Sequence, residues 1–130
     1  VKSWLDYSNN FENNILFIEG AGGWQVPLNN KENYSDWVLA LQKKLYENYS
    51  DIDFSVLLVV GMKLGCLNHA MLSAKDIKSS GCNFSGWVAN QVDKDMLNYQ
   101  ENLYTLKTKL NMDYLYRFDY CEESHLLHSE

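Results

Sequence analysis

Two stretches of this chain are apolar without interruption. Asn14-Ile15-Leu16-Phe17-Ile18 is one, and Ser55-Val56-Leu57-Leu58-Val59-Val60 is the other. A strand with one face in water alternates apolar and polar residues. An unbroken run of this length reads as a strand covered on both faces, the condition of a parallel sheet sandwiched by helices. Ser85-Gly86-Trp87-Val88-Ala89-Asn90 is a third strand candidate, and Tyr114 to Phe118 a short fourth. Helical spacing fills the intervals. Tyr34 to Tyr46 places Trp37, Leu41 and Leu45 at four-residue steps. Leu67, Ala70, Met71, Ala74 and Ile77 form an i, i+3, i+4 stripe, and Met96 to Leu110 carries Leu97, Leu103, Leu106 and Leu110. Gly81 suits the end of the second helix. The order β-α-β-α-β-α-β predicts a parallel α/β fold with right-handed crossovers, with residues 1–130 as a single domain or part of one.

Charge and composition exclude some functions. The 130 residues carry a net charge of -6, which weighs against a general nucleic-acid binder. No apolar run approaches the roughly 18 residues of a membrane span. Cys66, Cys82 and Cys121 are odd in number and show no CxxC spacing, which fits a reduced, cytoplasmic setting. Three Asn-x-Ser triplets begin at Asn33, Asn48 and Asn83 but have little meaning without a secretion signal. His125 and His128 lie i, i+3 in a polar tail, and a metal reading needs a third ligand that the sequence does not place, so a solvated tail is expected. The first residue is Val1 rather than Met, from which a longer parent chain is expected.

Ligands of open parallel sheets gather at the carboxyl ends of the strands. Three segments sit there. Glu19-Gly20-Ala21-Gly22-Gly23 follows the first apolar run. Its carboxylate suits a hard cation such as Mg2+, and its glycines allow a phosphate to approach the backbone. The same residues also suit a tight turn with a solvated Glu. Gly61-Met62-Lys63-Leu64-Gly65-Cys66-Leu67-Asn68-His69 follows the second run and opens a helix. The N–H groups of that helix start attract anions, or Asn68 or a neighbour simply caps it. Gly86-Trp87-Val88-Ala89-Asn90-Gln91 ends in amides. Asn90 matches the donor and acceptor edge of a nucleobase, and Asn is equally a turn former. No GxxxxGK[ST] loop occurs in the 130 residues.

These blocks together resemble dethiobiotin synthase. The resemblance rests on Phe17 to Gly23, on Asp36-Trp37, on Val59 to Leu72 and on Gly86 to Asn90, in family order and near family spacing, over about residues 14 to 110. It implies a P-loop NTPase-like three-layer α/β/α fold whose amino-terminal part is absent. It also implies an ATP-dependent ligase of biotin biosynthesis that closes a cyclic urea from 7,8-diaminononanoate, CO2 and ATP, with Mg2+, as a homodimer. By the same resemblance Glu19 is a Mg2+ ligand. Gly20, Ala21 and Gly22 border the triphosphate, and Gly22 also borders the diamine. Asn90 reads adenine with Gln91 beside it. Leu64, Gly65, Cys66, Leu67 and Asn68 bind the substrate carboxylate across the dimer interface.

The family's P-loop, its lysine and its second Mg2+-binding acid have no counterpart in these residues, so the segment alone is expected to be inactive. Family members place a proline where Asp119 stands, which sets an acid beside the expected adenine site. These departures also admit a second reading, a diverged fragment that serves as a dimerisation or interaction module.

Overall fold

The computed structural model describes residues 15–20 and 22–121. They fall into two compact units, one ending at Ile52 and one beginning at Asp53. The first contains helix α1, Tyr34–Asn48. The second runs β1 (Val56–Met62), α2 (Cys66–Ser79), β2 (Phe84–Gln91), α3 (Tyr99–Leu110) and β3 (Tyr116–Phe118). Its three strands form one parallel sheet in the order β1-β2-β3, so the expected α/β architecture is present.

The start of α1 is fixed by local hydrogen bonds. The Asn33 N–H donates to Asp36 Oδ2 at 2.8 Å, half of the reciprocal pattern that closes a helix start. The preceding loop folds back on the helix, with Tyr34 N–H donating to the Val26 carbonyl and Ser35 N–H to that of Trp24. Val38 and Leu41 are buried one turn apart.

In the second unit the core lies on one face of the sheet. Val60 and Met62 of β1 stand beside Trp87 and Ala89 of β2, under Cys66, Ala70 and Ala74 of α2 and Leu103, Leu106 and Leu110 of α3. Trp87 is fully buried. Its indole N–H donates to the Met112 carbonyl at 3.1 Å, and its ring meets Tyr114 edge-on at 5.6 Å. The strand that carries Trp87 is thereby tied to the segment that leads into β3. Beside it, Gly86 has φ +147, and a Cβ there would lie 2.9 Å from Leu115 Cδ1. Gly86 also marks an irregularity, because Val56 pairs with Phe84 but Leu57 pairs with Gly86. Helix α2 ends as its sequence suggests, with Gly81 at φ +84 just past the cap.

Three expectations are corrected. Residues 15–18 form no strand, and Ile15, Leu16, Phe17 and Ile18 are exposed. An apolar run becomes a strand only when a neighbour supplies the ladder, and no described strand pairs with this one. Second, β1 is covered on one face only. Leu57 and Val59 are 41% and 58% exposed, so the unbroken apolar run does not mean burial on both faces here. Third, α3 begins at Tyr99 rather than Met96. Asn98 takes a left-handed conformation (φ 54), which Asn tolerates and a helix interior does not, and Leu97 is left exposed.

Candidate functional site at the carboxyl edge of the sheet

Register brings two of the three expected segments together. Gly61 pairs with Asn90 and Met62 with Gln91, and Asn90 pairs in turn with Phe118. The loop after β1, the amides that end β2 and the end of β3 therefore share one edge, the edge where an open parallel sheet receives ligands.

After β1 the chain turns through Lys63 and Leu64 to Gly65, whose φ of +88 suits a residue without a side chain. Cys66 N–H donates to the Lys63 carbonyl at 3.0 Å, and His69 N–H reaches the Gly65 carbonyl at 3.4 Å. The Leu67 and Asn68 N–H groups, in the first turn, have no acceptor among the described residues. They are the free donors that a helix start offers to an anion. Gly65 occupies the cap position, so Asn68 lies inside the first turn rather than capping it, and its side chain is exposed. The Cys66 side chain is buried in the core, so this residue presents only backbone to the edge. Leu64 is 96% exposed at the tip of the turn.

Asn90 is half-buried, and its amide hydrogen-bonds to no described residue. Gln91 differs. Its amide N–H donates to the Asp93 carbonyl at 3.2 Å and holds the turn that follows β2. Of the two amides, Asn90 is the one available to a ligand.

The expected set omits Arg117 and Phe118. Phe118 stands in register with Asn90, and Arg117 with Ala89, so the two occupy opposite faces of the sheet. Arg117 Nε donates to Asp119 Oδ1 at 3.0 Å. The Asp119 carboxylate is thus held by a cation of the Trp87/Ala89 face. The departure from proline alone could not reveal this ion pair. Tyr99 is close to the same charges. Burial pushes its phenol above the usual tyrosine range, Arg117 pulls it back, and Asp119 and Tyr114 push it up again. Its hydroxyl is buried with no hydrogen-bond partner.

The Glu19 segment belongs to the other unit. Glu19 is exposed, and its carboxylate has no partner among the described residues. A Cβ on Gly20 would meet the outer end of the Tyr34 ring, which would have to shift, and Gly22, at φ +96, takes a conformation that favours glycine, with a Cβ there 2.6 Å from Val26 Cγ2. Ala21 and the tail with His125 and His128 lie outside the described residues. No cluster of three or more His, Cys, Asp or Glu residues occurs among the described ones. No described helix is long and apolar enough to cross a membrane. A surface concavity lined by Tyr104, Lys107, Thr108, Asn111, Met112 and Asp113 is at the carboxyl end of α3. That end leads into the start of β3, so the concavity is remote from the strand ends described above.

Comparison with known proteins identifies the family. A family model described as "AAA domain" matches residues 2–123. The ATP-dependent dethiobiotin synthetase BioD of Pseudoalteromonas translucida is 45% identical over 109 residues, 84% of this chain and 43% of the relative. The protein of the same name from Legionella pneumophila is 42% identical over 123 residues, 92% of this chain and 53% of the relative. That from Wigglesworthia glossinidia brevipalpis is 41% identical over 98 residues, 75% and 38%. The chain spans about half the length of the curated relatives it matches. It is a BioD-like member of the AAA domain family.

Proposed function

We propose that this chain is the carboxyl-terminal portion of a longer single-domain ATP-dependent dethiobiotin synthetase, a cytoplasmic homodimer. One family model runs across both compact units, which supports reading them as one domain. The observation that carries the reading is the shared edge: an unpartnered Asn90 amide in register with Gly61, five residues before a helix start with free N–H groups.

In this reading Asn90 pairs with the adenine edge, with Gln91 supporting the turn beside it. The Leu64 to Asn68 segment receives the carboxylate of 7,8-diaminononanoate on the Leu67 and Asn68 N–H groups, serving the site of the neighbouring subunit. The exposed Leu64 side chain suits a contact made outside its own fold. Gly20, Ala21 and Gly22 form the bare backbone beside the triphosphate, and Gly22 also borders the diamine. Glu19 fits a Mg2+ site, since its carboxylate is free and Mg2+ takes only one or two carboxylates besides phosphate and water. When bound, the ion neutralises charge on the phosphates.

The reaction this arrangement serves is a carboxylation and ring closure. One amine of the substrate adds to CO2 to give a carbamate and releases a proton. A carbamate oxygen attacks the γ-phosphorus of ATP and displaces ADP. The second amine attacks the carbon of the mixed anhydride, expels phosphate and closes the cyclic urea. None of these residues need form a covalent bond to substrate; they position and neutralise. The phosphate-binding lysine is not in this chain, so the 130 residues alone are inactive.

The test is an incubation of the full-length protein with 7,8-diaminononanoate, bicarbonate, Mg2+ and ATP. Dethiobiotin and phosphate should appear in equal amounts. ATP hydrolysis without dethiobiotin would overturn the assignment.

A further inference from the structure

The Glu19 carboxylate has no partner among the described residues, so no side-chain bond sets where it points and its place comes from the backbone. The next residue, Gly20, lies against the tip of an aromatic ring. A Cβ on Gly20 would stand 2.6 Å from the Tyr34 hydroxyl oxygen and 2.7 Å from Tyr34 Cε1. The bare Cα of the glycine is what lets the ring close on the chain at this point.

Tyr34 is itself held at both ends. Its N–H donates to the Val26 carbonyl at 2.8 Å, and the Ser35 N–H donates to the Trp24 carbonyl at 3.0 Å. Its ring stacks on that of Trp37, three residues on, with centroids 5.7 Å apart and planes 21° from parallel. Gln25 adds a side-chain clamp. Its Oε1 accepts from Asn33 Nδ2 at 2.9 Å and from the Ser35 hydroxyl at 3.3 Å. The loop that begins at Gly20 therefore wraps the first turn of α1. Its far end is bonded to the helix, and its near end, beside Glu19, rests on the Tyr34 ring.

We infer that Tyr34 is a positioning residue for the proposed Mg2+ site: its ring, braced by Trp37, fixes the backbone at Gly20 and through it the place of the Glu19 carboxylate. This rests on the role proposed above for Glu19 and adds the residue behind it. Mg2+ demands near-ideal octahedral geometry from its oxygens, so a group that orients a ligand matters nearly as much as the ligand. Ring carbons make the contact as well as the hydroxyl, so an aromatic ring suffices there and a shorter aliphatic side chain does not.

The experiment measures Mn2+ binding to the full-length protein in the presence of ADP, from the electron paramagnetic resonance signal of the free ion. Mn2+ suits the same oxygen ligands as Mg2+. Binding to ADP without protein is subtracted. The variants are Tyr34→Phe, Tyr34→Leu and Glu19→Gln, each held well below its melting temperature. Tyr34→Leu should raise the Kd for Mn2+ about 10-fold, the lower end of what loss of a group behind a metal ligand costs. Tyr34→Phe keeps the ring and should bind as the wild type does. Partial unfolding reduces the number of sites but leaves the Kd of the folded molecules unchanged, so a purely structural residue would give fewer sites of wild-type Kd. That result overturns the inference, as does Tyr34→Leu with wild-type Kd and a full complement of sites. Tyr34→Phe that binds as weakly as Tyr34→Leu also overturns it, because the hydroxyl rather than the ring would then be acting. Glu19→Gln with wild-type Kd overturns the metal role of Glu19 and this inference together, whereas weakened Glu19→Gln beside unchanged Tyr34→Leu overturns this inference alone. The readout needs no turnover, so a failure to form dethiobiotin is read separately as a failure of the proposed function.

Discussion

Trp87→Phe should cost this fold about 2–4 kcal/mol, and the cost should be felt at the site. Trp87 is fully buried, bonds the Met112 carbonyl through its indole N–H and meets Tyr114 edge-on. Loss of the hydrogen bond costs about 1 kcal/mol, and leaving the carbonyl without a donor raises that toward about 2. Removing a whole buried aromatic ring costs about 3–5 kcal/mol. The part of the indole that phenylalanine fails to replace accounts for about 1–2 kcal/mol of this. The sum corresponds to a drop in Tm of roughly 5–15 °C for a domain of about 150–250 residues. The assay is urea and thermal unfolding of the full-length protein, with the exposed Lys75→Ala as a control that should stay within about 0.5 kcal/mol. Asn90 lies three residues along the same strand. A loosened anchor should therefore also raise KM for ATP. A stability change below about 0.5 kcal/mol would refute the claim that Trp87 ties β2 to the segment before β3.

Further outcomes follow from the same geometry. Gly86→Ala should destabilise by about 1–3 kcal/mol in urea unfolding, because the φ of +147 suits glycine alone; an unchanged midpoint would show that the backbone relaxes there. Tyr99→Phe removes a buried hydroxyl without a partner and should leave stability at neutral pH unchanged or higher. The folded phenol titrates above the unfolded value of about 10. Its contribution is therefore complete below pH 10 and is lost as pH rises through the folded pKa. The alkaline decline of wild-type stability should thus be shallower in Tyr99→Phe, which unfolding at pH 9 to 11.5 will read. The 130 residues expressed alone should aggregate, because Leu57, Val59, Tyr116 and Phe118 are exposed on one sheet face and no described strand pairs with the outer edge of β1; light scattering and a cooperative monomeric melt are the opposing results.

Much of the architecture is legible in the chain because it is written in local patterns. The stripe from Ala70 to Ile77, the glycine at 81 and the runs around Val60 and Val88 each specify an element whose partners lie within these residues. The reading fails where a pattern depends on something outside it. Ile15 to Ile18 has the composition of a central strand, yet a strand needs a ladder, and none of the described strands offers one. Leu57 and Val59 read as doubly buried because apolar content reports the environment a residue suits, not the one it meets. The start of α3 is lost to a single left-handed Asn98, a backbone event that side-chain periodicity does not encode.

The site is legible to a similar degree. Asn90 and the Gly65 helix start are visible in the sequence, and the register places them at one edge. The place of Phe118 beside Asn90 is not, because it comes only from pairing across strands. The glycines at 20 and 22 read as room for a ligand, whereas the positive φ at Gly22 already favours a glycine and the Tyr34 ring stands close to Gly20. Asp119 reads as an obstacle until Arg117 is seen to hold it.

The most direct test of the account is the Mg2+ dependence of dethiobiotin formation in the full-length protein and its Glu19→Ala variant. The account predicts that the variant forms dethiobiotin at least about a hundredfold more slowly at a fixed Mg2+ concentration, the scale of losing one group that neutralises transition-state charge, with the half-saturating Mg2+ concentration raised. Equal rates and equal Mg2+ dependence in the two proteins would contradict it.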